Sequence, residues 1–182
     1  GKHVFLEKPF TQTLEQCIEL LELAKQNGLK IITDHTYIYN PFIRKAQEII
    51  QSDKFGDIKY YHSNRINLGN FQTDTNVIWD LAVHDIAIAL FLFEERPLSV
   101  NAMAIKYDEI DQEYLGYCTL NFGSKVAHTN VNWLSPIKIR NILIGGTKQM
   151  IVVDELSNSE KIKVYDKGIT ISDGQEAIRK TL

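Results

Sequence analysis

The chain has 182 residues, 44% of them hydrophobic and 24% charged. Those proportions belong to an ordinary globular protein and exclude a disordered tail, a collagen-like repeat or a disulfide-built miniprotein. Twenty basic against 23 acidic side chains leave a net charge of −3. With no basic excess to meet a polyphosphate, nucleic acid is not an expected partner.

The longest apolar run, 86–93, is too short to cross a membrane. Cys17 and Cys118 form no CxxC pair and read as buried thiols of a reducing, cytoplasmic compartment. The chain starts Gly1-Lys2-His3-Val4, with neither an initiator Met nor the layout of a signal peptide, so it reads as the interior of a longer product.

Residues 2–6 form a short apolar run suited to a buried strand, closed by Pro9, which cannot continue a ladder. Thr13 and Gln16 have capping-box spacing, and Leu14, Ile18, Leu21 and Ala24 recur as a helical core stripe. Asn27-Gly28 supplies the helix stop, and 29–33 is a second strand. Strands joined through a helix are expected to run parallel, so 1–36 reads as one βαβ unit. Asn40 and Pro41 then open a helix whose core stripe is Phe42, Ala46 and Ile49.

A strand over 58–66, a polar loop over 67–76 and a very apolar helix over 77–93 follow. Beyond Pro97 come strands at 98–106, 114–122, 125–133, 139–144, 149–153 and 162–165, with Gly145-Gly146 as a turn. Ala127, Thr129, Val131 and Trp133 alternate with Val126, His128, Asn130 and Asn132, which gives that sheet one apolar and one mostly polar face. The fold class is α+β, a βαβ unit followed by a domain with a large, mainly antiparallel open sheet.

Two constellations carry chemistry. On the apolar helix Asp80 and His84 stand four apart, on one face. A carboxylate that orients an imidazole suits proton removal from a hydroxyl, although an internal Asp–His bond that merely stitches helix to sheet has the same spacing. Lys8 stands at the carboxyl end of the first strand, where open α/β sheets bind ligands. In isolation it equally suits an exposed loop lysine.

Together, Glu7-Lys8-Pro9 and Asp80-Leu81-Ala82-Val83-His84-Asp85 resemble the EKP segment and the DxGxHD helix of the Gfo/Idh/MocA oxidoreductases. Tyr39-Asn40-Pro41 with Arg44 is similar to the start of that family's second domain, and the downstream hairpins fit its sheet. The resemblance covers essentially the whole chain. It implies a C-terminal remnant of a Rossmann domain at 1–36 and, at 37–182, a substrate-binding and oligomerisation domain of the dihydrodipicolinate-reductase-like kind, incomplete at its end.

It further implies NAD- or NADP-dependent hydride transfer at a hydroxyl-bearing carbon of a sugar, nucleotide sugar or cyclitol. Lys8, Asp80 and His84 become the catalytic residues, with His84 as general acid/base and Asp80 as its orienting partner. Glu7, Lys8 and Pro9 face the cofactor, and Tyr37, Arg65 and Asn67 the substrate. Asn67-Leu68-Gly69-Asn70-Phe71 is similar to the loop of nucleotide-sugar members.

The chain departs from the family pattern in Ala82 and in the run Asp74-Thr75-Asn76-Val77, and it has no GxGxxG. Roughly 100 or more residues are therefore expected before Gly1, and the chain alone is expected to be inactive and to bind dinucleotide weakly or not at all. A homo-oligomer through the C-terminal sheet is expected. The alternative function is a non-enzymatic oligomerisation or sugar-binding module. No metal is expected, since a metal-dependent hydrolase would need His35 or His62 to converge on His84.

Overall fold

The computed structural model describes residues 1–69, 71–106, 111–171 and 177–179, with 169–171 and 177–179 described by backbone alone. Strands Val4–Leu6 (β1) and Ile31–Thr33 (β2) pair in parallel, Val4 opposite Ile31, around helix Leu14–Gln26 (α1). The helix starts where its sequence says it should. Thr13 accepts from the Gln16 amide while the Gln16 side chain returns to the Thr13 amide, a complete capping box. Gly28, at φ 63°, closes the other end.

The expected core stripe of α1 is buried only at Ala24; Leu14 is 67% exposed, and Ile18 and Leu21 are also exposed. The cause is the lack of a layer to pack against, because β1 and β2 form a two-stranded sheet whose Phe5 is also 67% exposed.

A short 3-10 turn, Thr36–Tyr39, leads into helix Pro41–Ile50 (α2), where Asn40 caps the Phe42 amide. Its deeply buried residues are Ile43 and Ala46, with Phe42 and Ile49 only partly buried, so the stripe is centred one residue from its expected place.

Seven strands then build the main sheet: Ile58–Leu68 (β3), Ser99–Ile105 (β4), Leu115–Asn121 (β5), Val126–Asn132 (β6), Leu134–Gly146 (β7), Met150–Asp154 (β8) and Ile162–Tyr165 (β9). Their order is β4-β5-β6-β3-β7-β8-β9, and every pair is antiparallel except β3 with β6. A further small ladder joins Ile169–Ile171 (β10) and Ala177–Arg179 (β11).

Strand β7 runs through Gly145-Gly146, which the sequence placed in a turn. The bend comes after them, at Thr147 and Lys148, and Gly145 lets the strand pass the Tyr60 ring, which a Cβ there would enter. The polar loop likewise starts later than expected, since β3 continues to Leu68.

Helix Val83–Phe93 (α3) packs with α2 on the inner face of this sheet. Ile43, Ile88, Ala89, Leu92 and Phe93 meet Tyr61, Ala127, Ile142, Ile144, Ile151 and Val153. Ala127, Thr129, Val131 and Trp133 are all buried, as the alternation predicts. Cys118 is buried and Cys17 only half-buried, and both are free thiols.

The apolar helix expected over 77–93 is not one regular helix. Ile78–Ala82 is a π-helical turn that continues into α3, and such turns recur at functional sites. At its back Gly116 of β5 has no side chain. A Cβ there would lie 2.7 Å from Ile78, so the glycine lets the wide turn lie against the sheet.

Candidate functional site

Lys8 stands two residues after the end of β1, and a cis peptide joins it to Pro9. Its ammonium donates to the Asp80 carboxylate at 2.9 Å and to the Asp80 carbonyl at 2.6 Å. The second Asp80 oxygen accepts from the Trp133 indole at 3.2 Å. The βαβ unit and the sheet domain are thus tied by one charge-assisted pair. Both partners are partly shielded, with side chains 16% and 26% exposed.

The expected Asp80–His84 bond is not formed. Both Asp80 oxygens are engaged elsewhere, and His84 Nδ1 is buried without a hydrogen-bond partner among the described residues. The π turn breaks the regular i, i+4 geometry on which that expectation rested. Instead the His84 ring lies against Tyr37, with centroids 4.7 Å apart. Burial, followed by the positive charges of Arg65 and Lys8, outweighs the Asp80 carboxylate and lowers the His84 pKa from 6.5 to about 3. His84 is therefore a neutral imidazole at ordinary pH, with one ring nitrogen able to accept and the other carrying an N–H.

Arg65 is enclosed, 2% exposed. Its Nε and Nη2 donate to the two Asp85 oxygens at 2.8 and 3.2 Å, and Nη2 also reaches Glu155 at 3.3 Å. Its guanidinium carbon stands 4.3 Å from the Tyr37 ring centroid. Asp85 raises the Arg65 pKa by direct attraction, against desolvation, and burial pushes Glu155 upward. Tyr61 also donates to Asp85, at 3.5 Å. Arg65 therefore acts as a buried counter-ion to Asp85 and Glu155, packed on the Tyr37 ring that also meets His84, and it does not line the cleft.

Tyr37 is clamped by both neighbours, its hydroxyl accepting from Arg140 at 3.1 Å. The Asn67 amide oxygen is buried and has no partner among the described residues. Glu7 is exposed, and it does not line the cleft that Lys8 and Pro9 line. His35 Nδ1 is buried near His84, whereas His62 stands on the far, open face of the sheet beside His128. Among the described residues no three His, Cys, Asp or Glu side chains come together as metal ligands.

The cleft itself measures about 1010 Å³. Lys8, Pro9, Gln12, Gln72, Trp79 and Asp80 are among the residues that line it, whereas His84, Tyr37, Arg65 and Asn67 stand outside its lining. Sequence reasoning missed four participants. Asp85 was visible as a carboxylate on an apolar helix, and Trp79 as its exposed aromatic. Trp133 and Arg140 reach the site only through strand pairing and left no local signal.

Residues 43–152 match the family model described as the GFO/IDH/MocA C-terminal domain. Residues 1–35 match the model described as oxidoreductase family, NAD-binding Rossmann fold. UDP-N-acetylglucosamine 3-dehydrogenase of Acidithiobacillus ferrooxidans is 27% identical over 184 aligned positions, covering 98% of this chain and 56% of that protein. A 1-carboxy-3-chloro-3,4-dihydroxycyclohexa-1,5-diene dehydrogenase of Comamonas testosteroni is 27% identical over 118 residues, 59% of this chain and 30% of that protein.

A solved oxidoreductase-fold chain from Magnetospirillum magnetotacticum MS-1 superimposes with a TM-score of 0.79 at 26% identity, over 96% of this chain and 55% of its own. The chain thus spans about half the length, or less, of the relatives it matches. With the C-terminal domain model matched over more than half of its residues and the Rossmann model over its start, the chain belongs to the Gfo/Idh/MocA oxidoreductase family.

Proposed function

We propose that these residues form the catalytic half of an NAD- or NADP-dependent dehydrogenase acting on a hydroxyl-bearing carbon of a sugar, nucleotide sugar or cyclitol. The Lys8–Asp80 pair at the cleft wall carries the proposal, because it brings the cofactor-side strand end and the sheet domain to one point. Lys8 and Pro9 suit the nicotinamide end of a dinucleotide, since they line a cleft at the carboxyl end of a parallel strand. No glycine-rich turn for the pyrophosphate occurs in the 182 residues. When bound, the cofactor supplies the acceptor or donor of hydride.

The chain's own residues manage charge and alignment. Two of the three Lys8 N–H donors hold Asp80, which leaves one for a substrate oxygen whose charge changes during reaction. Asp80 is then the group that positions Lys8, in place of its expected role toward His84. His84 is the proposed acceptor of the hydroxyl proton in the oxidative direction: its neutral ring has a nitrogen free to accept, and it packs on Tyr37 behind the residues that line the cleft.

In the whole dehydrogenase, Lys8→Met is expected to lower kcat by about 100-fold or more. The rate of oxidation should stay level from about pH 8 to about pH 5, because His84 takes its proton near pH 3. A fall centred on pH 6.5 would show that His84 titrates as an ordinary imidazole and is not held neutral by its surroundings.

The open sheet face and the fully exposed edge strand β4 support a homo-oligomer as a further part of the proposal. No helix among the described residues is long and apolar enough to cross a membrane. A cytoplasmic site of action belongs to the same proposal.

A further inference from the structure

Trp79 is large, apolar and 48% exposed, and its ring stands in the cleft wall next to Asp80. The turn that carries it is held in place, since the Trp79 amide donates to the Asn76 side chain at 3.0 Å. Among the described residues Lys8 is the one cation lining the cleft, and it is already paired with Asp80. Two more carboxylates, Asp74 and Glu19, face the same space. Among the described residues the Gln12 and Gln72 side-chain amides have no hydrogen-bond partner and line the cleft.

A phosphate needs a cation or a row of backbone amides at a helix start to replace its hydration. Here an entering diphosphate would meet one neutralised lysine and two like charges, which disfavours it. An uncharged pyranose or cyclitol has what these groups recognise. Its apolar C–H face matches an exposed indole, and its hydroxyls match free amides and the remaining Lys8 donor. The volume is at the upper end of the about 300–1,000 Å³ of small-molecule sites, enough for a sugar ring beside a nicotinamide.

We propose that the cleft selects an uncharged sugar or cyclitol stacked on Trp79, and discriminates against the same sugar carried on a nucleoside diphosphate. This rests on the dehydrogenase function proposed above and narrows its substrate class. It separates the chain from its relative that is named for a UDP-sugar.

The chain's two tryptophans provide the readout, because Trp79 lines the cleft and Trp133 bonds to Asp80. Their indole N–H resonances can be followed while the 182-residue protein is titrated with N-acetylglucosamine, UDP-N-acetylglucosamine, glucose, UDP-glucose and myo-inositol. At least one uncharged ligand should shift the Trp79 signal at millimolar concentration. Its UDP counterpart, where one is tested, should bind no more tightly, and Trp79→Ala should weaken binding at least about tenfold.

Tighter binding of a UDP-sugar would overturn the selection while leaving a sugar dehydrogenase intact. Failure of all five ligands to bind, or binding indifferent to Trp79→Ala, would also overturn it. The titration needs neither cofactor nor turnover, so its outcome is independent of the Lys8 and pH tests of hydride transfer.

Discussion

Asp80 and Asp85 sit five residues apart and have opposite circumstances. Asp80 faces a cleft and shares Lys8 with solvent, whereas Asp85 is 1% exposed and binds a guanidinium that is 2% exposed. Removing one partner of a buried pair strands the other charge without water, at a cost of about 3–5 kcal/mol. Asp85→Ala should therefore lower unfolding stability by about that amount in urea titrations. Asp80→Asn, at a partly hydrated pair, should cost no more than about 1 kcal/mol. Equal losses from the two substitutions would show that burial does not separate them. The linear order shows both carboxylates, but not which one meets Arg65, because that depends on a strand 20 positions away.

The capping of α1 and α2 was legible because Thr13 with Gln16, and Asn40 with Pro41, act over three or four residues of local backbone. The π turn was not legible. Its residues Ile78–Ala82 are as apolar as those of a regular helix, and the turn's close seat on β5 requires Gly116, far along the chain. Gly116→Ala should push Ile78 away and cost about 1–3 kcal/mol by overpacking. The same change should move the Trp133 indole N–H resonance, since displacement of the turn disturbs the Trp133–Asp80 bond. An unaltered resonance and unaltered stability would mean that the glycine is not what seats the turn.

At the scale of the whole molecule the two halves differ in how well their apolar surface is covered. The seven-stranded sheet has α2 and α3 on its inner face, while α1 and β1 leave Leu14, Ile18, Leu21 and Phe5 exposed. Beyond them, the edge strand β4 is exposed along its whole length, with Val100, Met103 and Ile105 among its residues. Apolar patches and unpaired edges of this extent promote association.

The 182-residue chain should therefore sediment as species larger than 20.9 kDa at tens of micromolar, about the range where such contacts act. Leu14→Lys with Ile18→Lys should reduce that association. A monomer at all concentrations would contradict it.

By itself the sequence determined the parallel βαβ start, the helix caps, the two-faced strand at β6 and the family, because each rests on local spacing or on short motifs in order. The tertiary structure alone decided that β3 enters the sheet between β6 and β7, and that Arg65 and His84 both pack against Tyr37. It alone turned Asp80 away from His84 and toward Lys8, 72 residues away. Contacts between distant segments depend on which strands pair and on which faces pack. Residue spacing along one helix carries no record of either.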